Sequence, residues 1–255
     1  MLPLNQPIAA SASDLMGPEP KFAQKCGSRR VAVRSDFAVV PIEGFNPERV
    51  RSLKSGMEHP LGRQVLSGVI LDRDYRSNAE CKLIAEQLSE GCEFALIHDC
   101  KEIEKFVLVP DVIDRLIASR VKERQKRGSR IPMYESEAMS ILTDFAEQRK
   151  LYLMSQFTER HAQYQRGTGS KSKNETLFED ALKEFEGRWK DPRERLAMIP
   201  GKEALSYLNG VIQKKYKVSL TPVSIVDAMK GDEVPQEMRA LLEMVERFAQ
   251  TQPPV

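Results

Sequence analysis

Residues 64–76 read QVLSGVILDRDYR, an aliphatic run that ends abruptly in two aspartates, Asp72 and Asp74, two positions apart. A short, almost continuous apolar run of this kind suits a strand buried on both faces of a parallel sheet. Carboxylates at the carboxyl end of such a strand project into the crevice where open α/β sheets bind their ligands. Both aspartates are hard oxygen donors suited to Mg²⁺, which usually takes one or two protein carboxylates plus waters and substrate phosphates. The competing reading of DRDY is a charged turn that leads into the next helix.

That next helix is written in SNAECKLIAEQLSEG at 77–91, which opens on a capping serine, ends in glycine and sets Cys81, Ile84, Ala85 and Leu88 on one face. EFALIH at 93–98 follows as a second apolar strand, so strand, helix and strand form a βαβ unit with the usual right-handed crossover. Upstream, DFAVVPI at 36–42 reads as a strand, and NPERVRSLKS at 46–55 as a helix with Asn before Pro at its start. Downstream, FVLVP at 106–110 reads as extended, with a helix from about Asp111. KEIEKF at 101–106 is read as extended too, with Glu102 and Glu104 on one face beside the aspartates; such crowding of carboxylates calls for a cation. Its competing reading is an exposed edge with Lys–Glu pairing.

Beyond this point the periodicity is helical only. Ala138, Ile141, Leu142 and Phe145 share one face, Phe178, Ala181, Leu182, Phe185 and Trp189 a second, and Met238, Leu241, Leu242, Val245 and Phe248 a third. RGTGSKSKN at 166–174 reads as an exposed loop. The expected architecture is therefore α/β: a poorly packed or disordered segment over 1–30, a parallel-sheet core over 31–118, and an all-helical extension over 119–255.

Composition narrows the function classes. A chain of 255 residues with 41% hydrophobic and 30% charged residues can bury a sizeable core, and no run approaches the apolar length of a membrane span. With 39 basic and 37 acidic side chains the net charge is +2, so nucleic acid must be met by a local patch. RLIASRVKERQKRGSR at 115–130 is that patch, with seven Arg or Lys and one Glu; its alternative role is a solvated helix end whose cations offset the dipole. It lacks the interleaved aromatics of a stacking surface. Four cysteines without a CxxC pair and three scattered histidines argue against structural zinc and for free thiols in a reducing, cytoplasmic setting, with His98 and Cys100 as packing residues. Residues 1–30 lack the basic start and apolar core of a signal peptide.

The order GVILDRDYRS (68–77), a helix, then FALIHDCKEIEKFVLVPDVID (94–114) resembles the Toprim domain at the C-terminal end of OLD-family proteins. These join an ABC- or AAA-type ATPase to a metal-dependent DNA nuclease associated with phage defence and DNA processing. The likeness covers about 36–118 and extends loosely through IPGKEALSYLNGVI (199–212) and EVPQEM (233–238). It implies a Toprim-like sheet in which Asp72, Asp74 and Glu104 hold Mg²⁺ or Mn²⁺, with Lys202 as a positive group near the phosphate or the transition state. The plain alternative for Lys202 is a solvated lysine at a helix start.

The family's first strand carries a glutamate and a glycine. The similar tripeptide here, Ile42-Glu43-Gly44, stands only 29 positions before Asp72, too few for the strand and two helices the family places between. Glu43 is therefore read as a loop residue, and the first strand, its glutamate and the ATPase are expected to be missing. No GxxxxGK[ST] loop occurs, since Gly201-Lys202 continues into Glu203, so no ATP site is expected. The expectation is an Mg²⁺-dependent Toprim-type DNA endonuclease module, an N-terminally truncated product or split subunit that works with an ATPase. The other class left open is a non-catalytic remnant or interaction module that keeps the fold.

Overall fold

Gly68 sits where no side chain can: a Cβ built there would fall 2.1 Å from Cε1 of Phe94 on the neighbouring strand. This close approach lets the aliphatic run become one of the two inner strands of a four-stranded sheet, packed against its neighbour. The computed structural model describes residues 8–11, 19–33, 37–42 and 44–250. In chain order the elements are β1 (Ile8–Ser11), α1 (Glu19–Cys26), α2 (Arg29–Val33), β2 (Ala38–Pro41), α3 (Pro47–Leu61), β3 (Ser67–Leu71), α4 (Asn78–Ser89) and β4 (Phe94–Ile97). There follow a 3-10 turn (Ile103–Val107), α5 (Pro110–Lys126), α6 (Ala138–Gly167), α7 (Asn174–Trp189), α8 (Pro192–Met198), α9 (Gly201–Tyr216), α10 (Pro222–Ala228) and α11 (Gln236–Gln250). The chain divides into two compact units, one of residues 1–73, 81–98 and 229–255, the other of residues 74–80 and 99–228.

The first unit is built on a parallel sheet in the order β2-β1-β3-β4. Every residue of β3 is buried, as its unbroken apolar sequence requires. Val69 and Leu71 pack with Ile42, Val50 and Leu88 into one core, with Ile84, Ala95 and Ile97 at its margin. Local sequence sets the helices. Asn46 Oδ1 accepts from Arg49 N at 3.1 Å with Pro47 in the first turn of α3, and Ser77 Oγ accepts from Glu80 N at 3.2 Å at the start of α4. Phe94 meets Phe248 of α11 edge to face, ring centroids 5.3 Å apart. Glu246 on α11 accepts from the backbone N–H of Arg30 (3.3 Å) and Val31 (3.2 Å), taking up donors that the start of α2 leaves open.

Three expectations are corrected in this unit. Residues 1–30 are not without a fold role: Ile8–Ser11 forms β1, paired on both sides by β2 and β3, and Phe22 and Ala23 of α1 are fully buried. A strand therefore does precede β2, contrary to the expected loss of the first strand; four residues of Ile, Ala and Ser are too short to show a period. Glu43 lies outside the described residues. Finally, α11 belongs to the sheet unit and not to a helical extension, because its apolar stripe of Met238, Leu241, Leu242, Val245 and Phe248 is buried and it packs on α1 and α2.

The second unit is helical. The 30-residue α6, about 45 Å long at 1.5 Å per residue, packs on α5, α7, α8 and α9. Phe157 of α6 meets Phe185 of α7 edge to face at 5.6 Å, Phe185 stacks on Trp189 at 5.1 Å, and Trp189 Nε1 donates to Glu147 at 3.1 Å. The expected α6 face is buried. On α7 the buried stripe is Leu177, Ala181, Phe185 and Trp189, a strict i, i+4 row, which leaves the expected Phe178 and Leu182 exposed. KEIEKF and FVLVP form no strand, with extended backbone at Glu102 and Val109 flanking a 3-10 turn. Ile103, Phe106 and Val107 are buried at helical spacing, and winding Ile103–Val107 into a 3-10 turn is what buries all three. The alternation that would have set Glu102 and Glu104 on one face is therefore absent.

Candidate functional site

Three stretches singled out in the sequence meet in the second unit through the backbone. Asp74, just past the end of β3, has φ +52°, a left-handed conformation that few non-glycine residues adopt, and its N–H donates to Lys101 O at 3.2 Å. Lys101 N in turn donates to Ala197 O at 2.9 Å, which brings in the end of α8 just before the Pro-Gly-Lys turn. Gly201 then seats the start of α9 directly on the Glu104–Lys105 peptide, where a Cβ would lie 2.8 Å from backbone atoms. The seating places Lys202 Nζ 3.3 Å from Glu104 Oε1, with the lysine side chain 68% exposed and the glutamate 16%.

Glu104 and Lys202 are thus brought together, and Asp74 is tied to the residue three positions before Glu104. Asp72 belongs to the first unit, half-buried at the end of β3. Each of the two expected metal ligands in the second unit faces a cation: Asp74 Oδ2 accepts from Arg76 Nη1 at 2.9 Å, and Glu104 faces Lys202. Burial lowers the pKa of Arg76 from its ordinary value, while its bond to Asp74 works in the opposite direction.

Behind this pair sits a carboxylate that sequence reasoning did not single out. Glu80, whose side chain is 4% exposed, lies 3.5 Å from Arg76 Nε and accepts from Arg160 Nη2 of α6. Nothing local announces the pair, since its members are 80 residues apart. Asp74, Arg76 and Arg160 line a polar cleft of about 500 Å³ together with Tyr75, Lys101, Tyr152 and polar residues of α6. Tyr75 is driven well above its ordinary pKa, first by burial and then by nearby carboxylates such as Glu102, so it stays a protonated donor. Its hydroxyl is buried and has no hydrogen-bond partner among the described residues.

The donor set bears on a metal in two ways. Among the described residues no three His, Cys, Asp or Glu side chains converge to cage an ion. Two carboxylates offering hard oxygens nonetheless match what Mg²⁺ takes from protein when substrate phosphates and waters complete its shell. Asp74 keeps a second oxygen beyond the one bonded to Arg76, and Glu104 faces a lysine exposed enough to swing aside. Among the described residues the set is thus no preformed cage, and what Asp74 and Glu104 offer is hard oxygen donors of the kind magnesium takes.

The basic stretch divides by task. Arg115 Nη2 donates to Ala228 O at 2.9 Å and Arg120 Nη1 donates to Ser219 O, so these two tie down carbonyls. Lys122, Arg124, Lys126, Arg127 and Arg130 are exposed or half-buried at and beyond the end of α5. Cys26, Cys81, Cys92 and Cys100 are free thiols, and His98 and Cys100 are buried as expected. Compared with protein-family profiles, with curated proteins and with solved structures, the chain matches none.

Proposed function

We propose that this chain is a Toprim-like, Mg²⁺-dependent DNA endonuclease module of an OLD-like protein, acting with an ATPase in defence or DNA processing. The observation that supports the reading is a convergence: Asp74, Glu104 and Lys202, drawn from stretches far apart in the chain, are joined by two backbone hydrogen bonds and the Gly201 seat. Asp74 and Glu104 would hold the metal, and Asp72, two positions before Asp74, is the further carboxylate the resemblance implies. The chemistry a bound Mg²⁺ would supply there is Lewis-acid polarisation of a phosphoryl oxygen and a water.

The chain's own groups do the rest. Arg76 holds one oxygen of Asp74 and so fixes the direction of the other. Glu104 orients Lys202, whose ammonium offers positive charge to a phosphate oxygen as negative charge builds there. The cations after Val121 track the DNA backbone.

A second reading, a non-catalytic interaction module, is favoured by a specific observation: β1 reads Ile-Ala-Ala-Ser and carries no carboxylate where the family's first strand carries its glutamate. One experiment separates the two. Plasmid cleavage by the purified chain with Mg²⁺ or Mn²⁺ is compared with that of Asp74→Asn, Glu104→Gln and Asp72→Asn. Activity in the parent, reduced about 100-fold or more in Asp74→Asn, supports the nuclease. Equal cleavage by parent and variants, or none by any, overturns it.

A further inference from the structure

We infer that the cleft beside Asp74 receives one unpaired nucleotide of the DNA strand, so that the module engages single-stranded ends or overhangs in preference to continuous duplex. The inference rests on the nucleic-acid reading above and adds a substrate structure to it.

The cleft has the size and the chemistry for this. Its volume, about 500 Å³, lies within the range of small-molecule pockets, roughly 300–1,000 Å³. One wall is a face of α6: Tyr152, Gln156, Glu159, Arg160 and Gln163 line it at helical spacing, with Gln163 Nε2 donating to Glu159 at 3.1 Å and the Gln156 amide open to the cleft. Tyr152 is 53% exposed, although an aromatic side chain in a helix ordinarily seeks cover. Its ring lies under the Arg149 guanidinium, 5.8 Å from the centroid, and Arg149 is itself held by Glu203. A ring presented to the cleft and steadied by a cation is a stacking platform for a base, a contact every base can make. Glutamine amides carry both a donor and an acceptor and can meet base edges, which only an unpaired base exposes in full.

Donors for the sugar-phosphate come from Arg160 on this same α6 wall and from Tyr75 and Lys101. Arg160 is anchored by the buried Glu80, and because a guanidinium has five N–H donors, one carboxylate does not exhaust it; its Nε has no partner among the described residues. The Tyr75 hydroxyl is a second buried donor without a partner among the described residues, a costly arrangement unless an acceptor arrives. Lys101 stands 5.5 Å from the Tyr75 ring centroid. Asp74 lines the cleft as well, which places a bound nucleotide next to the carboxylate proposed to act on its phosphodiester. A base paired inside a duplex cannot enter such a cleft without leaving its stack.

The test measures binding apart from cleavage. The full chain, with Ca²⁺ in place of Mg²⁺, is titrated against a labelled single strand, the matching blunt duplex and the same duplex with an overhang, each carrying 2-aminopurine at the end base. The expected result is binding to strand and overhang about tenfold tighter than to duplex, with 2-aminopurine quenched. Tyr152→Ala should lose about tenfold of that binding and the quenching, and Tyr152→Phe should retain both. Equal affinity for duplex and single strand, or an unchanged Tyr152→Ala, overturns the inference; Mg²⁺-dependent, Asp74-sensitive cleavage in parallel assays would then leave the nuclease reading standing. Tyr152-dependent strand binding without cleavage by any form would uphold the inference and remove the nuclease. Failure to bind any DNA overturns both.

Discussion

Arg160 and Glu80 form an ion pair across 80 residues of sequence, with the carboxylate sealed from solvent and shared with Arg76. Burying a carboxylate costs several kcal/mol unless charged donors surround it, and removing one member of such a set leaves the others uncompensated. Glu80→Ala is therefore expected to lower stability by about 3 kcal/mol, read as a fall in the urea midpoint at unchanged m-value. Glu80→Gln keeps the shape and an acceptor and should cost less. A midpoint unmoved by Glu80→Ala would show that the two arginines are held by other groups.

Gly201 seats α9 on the peptide after Glu104, and backbone cannot move aside as a flexible side chain can. Gly201→Ala should cost about 1–3 kcal/mol of stability and separate Lys202 from Glu104. If the proposed chemistry is right, cleavage by this variant falls at least as far as in Lys202→Ala, although the lysine is still present. Full activity in Gly201→Ala would detach the lysine from the reaction.

Burial holds the His98 imidazole down at about 4, below its ordinary 6.5, so the folded chain keeps it neutral. The unfolded chain binds a proton here below pH 6.5 and the folded chain does not until about pH 4. Stability from this group is complete above pH 6.5, declines as pH falls toward 4, and is flat below, a total on the order of 3 kcal/mol. Chemical denaturation at several pH values should show this slope, and His98→Gln should flatten it. An unchanged slope in the variant would assign the acid sensitivity elsewhere.

On α5 two kinds of basic residue can be told apart experimentally. If the proposed DNA contact is right, Lys122→Glu with Lys126→Glu should weaken DNA binding and reduce its salt dependence by about one unit of slope for each phosphate left without a cation, with Tm unchanged. Arg115→Ala, which frees the Ala228 carbonyl, should lower Tm and leave the salt slope in place. The opposite pattern would move the DNA-facing surface off this helix.

The parts of the fold written in local pattern could be read directly. The aliphatic run of β3, the Asn-Pro start of α3, the serine before α4 and the apolar stripes of α6 and α11 each follow from a period or a cap carried within a few residues. What could not be read depends on partners distant in sequence. β1 becomes a strand because β2 and β3 flank it, not because Ile-Ala-Ala-Ser specifies one. The 103–107 turn was legible in principle, since Ile103, Phe106 and Val107 are spaced for a helix, but alternating Glu102 and Glu104 carry the period of a strand. In the site, Asp74, Glu104 and Lys202 stood out by type and resemblance, whereas Glu80, Arg160 and Tyr152 acquire meaning only once α6 lies beside residues 74–80.

The capping of Arg30 and Val31 by Glu246 has a consequence for how the molecule is made. More than 200 residues separate the two ends of that contact, so a ribosome has already delivered the whole helical unit before α2 meets α11. All four strands precede residue 98, but α11, which packs on α1 and α2 and meets Phe94 through Phe248, is made only after the whole helical unit. Loss of α11 would therefore be felt at α1, α2 and Phe94, as exposed apolar surface and aggregation during synthesis.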